Sequence, residues 1–235
     1  MSGFYMRGAL VEMMPTFLVP LPNVIVFQYN PESITHAWTQ PEAADAGPGA
    51  NPLAVKGLPG ESFTFTLAMD AGDMIADGSV VAQGIATVSG IYTRLAALEM
   101  LQFPSNTGDA LLGVVSAAFG GGAATATPRP IPDASIPVVL FIWGPERIVP
   151  VRVTSLSISE TLYDAALNPT HAEAQITLRV LTTDELKYVT GIMGTIANGA
   201  YLYSQGLRQV LALANLADSV ESIIGMIPHE GCAQQ

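Results

Sequence analysis

The sequence predicts a mainly β fold of the α+β class: short antiparallel strands arranged as two packed sheets or a small barrel, with one flanking helix and a C-terminal helical appendage. Two alternations carry the strands. Phe63, Phe65, Leu67 and Met69 alternate with Thr64, Thr66 and Ala68, and Ala174, Ile176, Leu178 and Val180 alternate with Glu173, Gln175, Thr177 and Arg179. A period of two sends one set toward a core and the other toward solvent. A change of period carries the helices, since Ile91, Leu95 and Leu98 recur at helical spacing and the pattern after Thr182 is helical again. The order is strands, helix, strands, helices, which differs from the alternating series of a nucleotide-binding α/β fold.

Taken in order, Val24–Tyr29 (VIVFQY) is apolar on both faces and ends at the turn signal Asn30–Pro31. Residues 40–60 hold Pro, Gly, Ala and Asp and read as a loop. The strand at 63–69 leads to Asp70, Asp73 and Asp77, in DAGDMIADG. Those acids lack the alternate-position spacing and terminal Glu of a calcium-binding EF-hand loop, so a solvated loop is expected there. A helix is predicted over 91–103, with Tyr92, Ala96 and Leu101 widening its apolar face and Pro104 stopping it. Residues 104–136, with glycines at 120–122, form a long Gly/Ala/Pro excursion, expected to order only against a partner.

Strands return at Val138–Trp143 and at Arg147–Glu160, where Pro150 suggests a bulge or an edge. Thr182 and Glu185 have the spacing of a capping box, opening helical sequence that runs to Ile227 with Gly breaks. The division is a β domain over 1–183 and a helical extension over 184–235. In that extension Leu207, Val210, Leu211 and Ala214 lie on one helical face, and Leu213, Leu216, Val220 and Ile223 on another. A helix apolar on two faces needs burial on both, so the extension is expected to dock a second component.

Composition limits function. Charged residues make up 12% of the chain and hydrophobic ones 49%, which suits a subunit whose surface is covered by neighbours. The net charge of −11 repels phosphate backbones, so no nucleic-acid partner is expected. The lone Cys232 excludes an intrachain disulfide framework and fits a reducing compartment. The N-terminal residues have no sustained apolar run, and no signal peptide is read. Residues 110–128 and 188–207 are uncharged, but their Gly and polar content makes a membrane span unexpected.

Chemistry is sparse. His36, His171 and His229 are the only histidines, none beside a GxSxG elbow. The glycines at 120–122 lack the Lys-Ser/Thr of a phosphate cradle. Trp143, before Gly144–Pro145, reads as core rather than as a binding platform, and Arg147 and Arg152 are too few for a basic groove. No catalytic, cofactor-binding or metal-ligating residue is assigned, and no cofactor is expected.

Several segments together resemble one family. They are VIVFQYNPESI at 24–34, GLPGESFTFTLAMDAGD at 57–73, GIYTRLAALEMLQFP at 90–104 and the run from Pro137 to Thr182. In order and number these are similar to the tube-type baseplate adapter (tube initiator) proteins of extracellular contractile injection systems, related to antifeeding-prophage and virulence-cassette particles. The resemblance implies a phage tail-tube-like two-sheet β-sandwich or barrel and a homohexameric ring whose subunits pair strands around a channel. It implies a trimeric spike below, the inner tube protein above, baseplate or sheath proteins alongside, and assembly in the bacterial cytoplasm as part of an injection particle. Many members carry a C-terminal peptidoglycan-binding module, for which residues 183–235 have no counterpart. The role implied is structural and not enzymatic. Two other readings stay open: a monomeric barrel that carries a small ligand, and a hydrolase with an unrecognised triad.

Overall fold

A strand that buries every second side chain needs a surface to bury it against, and here the sheet supplies that surface to itself. The computed structural model describes residues 6–13, 22–41, 53–77, 89–103, 137–189 and 191–226. The strands are β1 (Ala9–Met13), β2 (Pro22–Val26), β3 (Ile34–Thr39), β4 (Gly60–Asp70), β5 (Val139–Ile142), β6 (Ile148–Tyr163) and β7 (Pro169–Val180). The helices are α1 (Ala71–Asp77), α2 (Tyr92–Met100), α3 (Thr183–Leu186) and α4 (Gly191–Met226). All strand pairs are antiparallel, in one seven-stranded sheet of order β2-β1-β5-β6-β7-β4-β3. The chain is thus mixed α+β and mostly β.

Among the described residues there is one sheet instead of two, coiled until its strands face each other. In that order β4 and β5 stand three strands apart, about 14 Å in a flat sheet. Yet Phe63 of β4 and Phe141 of β5 bring their ring centroids within 5.3 Å, and Phe65 and Phe141 stack at 5.5 Å. The long central strands accumulate twist, and the register shift between Val153 and Ser155 of β6 adds more, as a bulge does. The enclosed core holds Leu10, Phe27, Val151, Val153, Ile176 and Leu178 with those rings. Helix α2 presses Ile91, Leu95, Leu98 and Leu101 against it, while Tyr92, expected on the apolar face, stays exposed. Gly90 permits this approach, because a Cβ there would lie 2.3 Å from the Pro169 carbonyl oxygen.

The two alternations hold. Phe63, Phe65, Leu67 and Met69 are buried, as are Ala174, Ile176, Leu178 and Val180. The VIVFQY run is divided: β2 ends at Val26, Val24 and Val26 are exposed, and Phe27 enters the core. Apolar residues on both faces therefore mark a sheet edge here and not a buried strand. Pro150 lies in central β6, opposite Leu140, yet the bulge is further along. Its carbonyl accepts the Leu181 N–H at 2.9 Å, just past the end of β7. Carbonyl and N–H of one residue point to the same side in an antiparallel strand, so its missing donor faces the place where the ladder has already stopped.

Two helical expectations change. The acidic stretch after β4 is helix α1 rather than a solvated loop. Asp70 Oδ1 accepts the N–H of Gly72 at 2.7 Å and of Asp73 at 3.4 Å, satisfying donors that a helix start leaves free. The Gly breaks expected after residue 183 do not interrupt α4, which is continuous for 36 residues. Gly194 is needed for a close approach, since a Cβ there would lie 2.0 Å from the Val189 carbonyl oxygen. The capping-box spacing does open a helix: the Thr182 N–H donates to Glu185 at 3.0 Å. Burial acts to raise the Glu185 carboxyl pKa, but the Thr182 N–H and Arg179 outweigh it and hold the group below its ordinary range. Residues 104–136, with the glycines at 120–122 and Pro104, lie outside the described residues, as do His229 and Cys232.

Candidate assembly surface

Among the described residues, both ends of the sheet lack a further paired strand. β3 reads ITHAWT and β2 reads PNVIV; neither contains Asp, Glu, Lys or Arg. From Thr35 to Thr39 every β3 residue is exposed. Each edge strand leaves one row of backbone groups outside the ladder, and neither carries a bulge or a charged guard that would discourage another strand. On the β2 side, Arg94 of α2 donates to the Val26 carbonyl at 3.4 Å, which marks the end of that edge.

A third exposed feature is the β6–β7 hairpin. Residues 159–163 of β6 are exposed throughout, and the turn at 164–168 presents Leu162, Tyr163 and Leu167 to solvent. Leu162 and Leu167 have φ of 56° and 65°, the left-handed region that leucine seldom adopts. The turn is held by Asp164, which accepts the N–H of Ala166 at 2.8 Å and of Asn168 at 2.9 Å, and the Asn168 side chain at 2.9 Å. The Asn168 side chain, foremost among these donors, keeps the Asp164 carboxyl below its ordinary pKa.

Helix α4 fastens across one end of the coiled sheet. Ala197, Tyr201, Ser204 and Arg208 recur at helical spacing and turn toward the body. Ser204 Oγ donates to the Ile148 carbonyl at 2.7 Å and accepts the Ile148 N–H at 3.2 Å, closing the first residue of β6. Tyr203 Oη donates to the Pro145 carbonyl at 3.0 Å.

The strongest polar anchor joins α4 to the β3–β4 hairpin. The register places His36 opposite Phe63 and Trp38 opposite Glu61, so all four share one face. Glu61 is 4% exposed. Its Oε2 accepts Arg208 Nη1 at 2.9 Å, its Oε1 accepts Nη2, and His36 Nε2 lies 2.8 Å from Oε1. The Arg208 guanidinium also lies 4.8 Å from the Trp38 ring centroid. Such a fork-to-fork pair fixes geometry as well as charge, which is how it orients a helix. Beside it a cleft of about 360 Å³ is lined by Trp38, Leu58, Glu61, Tyr201 and Gln205.

Residues that sequence reading weighed for chemistry have structural partners. The carboxylate beside His36 is committed to Arg208, and the one beside His171, Asp70 at 3.4 Å from Nδ1, caps α1. Trp143 is half-buried and packs beside Phe141 and Phe27, at 6.3 and 6.4 Å, against the rim of the core. Arg147 lies over the Phe63 ring and Arg152 is exposed. Among the described residues no three His, Cys, Asp or Glu side chains converge to hold a metal, and no helix is long and apolar enough to cross a membrane. Sequence reading missed the Glu61–Arg208 anchor, whose members are 147 residues apart; the one available signal was a charge, Glu61, at a core-facing position of an alternating strand.

The chain matches no family model and no curated protein.

Proposed function

We propose that the chain is a structural ring subunit of a phage-tail-like contractile injection machine, joining the inner tube to the spike and baseplate and templating the tube above it. The observation that carries the reading is the pair of edge strands, β2 and β3, which among the described residues have one strand neighbour each and contain no Asp, Glu, Lys or Arg. Two different edges on one chain favour head-to-tail pairing, which closes into a ring when the rotation between subunits allows it. The segments that resemble the tube-initiator family form β2, β4, α2 and the β5–β6–β7 meander, the parts that build the coiled sheet. The tail-tube-like fold and the hexamer are part of this proposal. A small-ligand carrier would need space inside the barrel, where Phe27, Phe63, Phe65 and Phe141 lie in contact.

Native mass spectrometry of the purified chain tests the reading, with six copies expected in one closed species. Lysine on the edges, as in Ala37→Lys with Val24→Lys, is expected to abolish the closed six-copy species with thermal stability unchanged. A wild-type chain that stays monomeric or trimeric at assembly concentrations overturns the ring.

A further inference from the structure

The distal half of α4 has an apolar sequence patterned for its own copies. Past Arg208 the helix continues to Met226, about 27 Å at 1.5 Å per residue. Val210, Leu211, Leu213 and Leu216 are 63, 50, 66 and 58% exposed, so the body of the chain does not cover these four.

Counted in heptads, the sequence places Leu213, Leu216, Val220 and Ile223 at positions a, d, a and d, the spacing of a coiled-coil seam. The flanking positions decide the number of strands. In two-stranded coils the e and g positions lie at the rim and are commonly charged. Here they are Val210, Ala212, Ala217, Ser219, Ile224 and Met226, none of them charged. A stripe spanning a, d, e and g is wider than one partner helix covers, so each helix needs a neighbour on either side.

Charge placement points to the occupant. The ionisable residues between 206 and 226 are Arg208, Asp218 and Glu221, at positions c, f and b, all on the back of the heptad. In a parallel bundle of identical chains every residue meets its own copy at the same level, so an acid in the seam would face an acid. A seam free of ionisable groups is therefore what self-association requires; an unrelated partner could answer an acid with a base.

We propose that residues 210–226 are a self-association element, in which three or more copies of α4 pack as a parallel bundle through their a, d, e and g positions. The proposal deepens the ring reading and rests on it for the parallel direction, because rotation about a ring axis points every helix the same way.

The test uses the full chain with Cys232→Ser and one new cysteine, at Leu216→Cys in the seam or Asn215→Cys on the back. Mild oxidation is expected to yield at least tenfold more disulfide-linked dimer from Leu216→Cys than from Asn215→Cys. Equal yields from chains that form a closed ring by native mass spectrometry overturn the bundle and leave the ring standing. Selective cross-linking at Leu216 that survives the β2 and β3 edge lysines upholds the bundle even if the ring fails. Selective protection of Leu216→Cys from thiol reagents by vesicles of mixed neutral and anionic phospholipid, without cross-linking, overturns the bundle in favour of a lipid surface. Leu213→Glu with Leu216→Glu is a second variant, expected to weaken assembly at least tenfold with melting temperature unchanged; unchanged assembly in this variant also overturns the proposal.

Discussion

The two halves of α4 belong to one uninterrupted helix and are both largely apolar, and both expose apolar side chains, but among the described residues only the first half has a face buried against the body. In the first half Ala197 and Tyr201 are buried and Ser204 and Arg208 are tied to Ile148 and Glu61. In the second half Val210, Leu211, Leu213 and Leu216 face solvent. Hydrophobic content therefore does not decide which half the domain covers. Polar anchoring does: Ser204 and Arg208 fix the helix against the ends of β6 and β4, and beyond the last anchor Val210, Leu211, Leu213 and Leu216 are exposed.

The largest test of this contrast is a pair of truncations. Tyr201→Ala is expected to destabilise the chain by about 3–5 kcal/mol, from lost burial and the cavity left behind. Leu213→Ala in the dispersed chain is expected to stay within about 0.5 kcal/mol. Denaturant melts at a concentration below assembly compare the two directly. Similar losses at both positions would mean that the body covers the distal half after all.

A smaller effect is expected at the anchor. Arg208→Ala leaves a nearly buried carboxylate without its main partner, and breaking a buried pair costs roughly 3–5 kcal/mol. Here His36 remains beside Glu61, and the Arg208 side chain is itself 30% exposed, so a loss of about 2 kcal/mol is expected. Adding Glu61→Gln to Arg208→Ala is expected to recover part of it, read as a rise in melting temperature over the single variant. No recovery would mean that Arg208 acts through Trp38 stacking instead of charge.

The smallest effect is local and concerns the β6–β7 tip, the other exposed apolar element. The Asp164 pKa is lowered in the folded chain, so its contribution is complete above the ordinary carboxylate value and is lost as pH falls through the folded value. The amide signals of Ala166 and Asn168 are expected to lose their hydrogen-bonded character in acid below the ordinary carboxylate range, with the core strands still protected. Asp164→Ala is expected to reproduce that change at neutral pH. A tip that keeps its amide shifts in this variant would show the turn is held by backbone alone.

Much of the fold was legible where one physical rule acts along a few consecutive residues. Alternation at 63–69 and 174–180 assigned the buried faces of β4 and β7, because a strand side chain has two directions and solvent takes one. Pairing is another matter. Strand β1 lies between β2 and β5, the second of which comes from far along the chain, and VIVFQY reads the same at a sheet edge as in its centre. Helix α1 was missed because Asp70 caps it only when the strand ends where it does. The sequence determined strands β2, β4, β5, β6 and β7, helices α2 and α4 and most of their apolar faces, but not β1, β3 or α1. The tertiary structure alone decided that the described strands form one coiled sheet with β2 and β3 outermost, and that α4 is held at Arg208 and exposed from Val210 to Leu216. Those outcomes depend on contacts between distant residues, such as Glu61 with Arg208 and Phe63 with Phe141, which local periodicity does not encode.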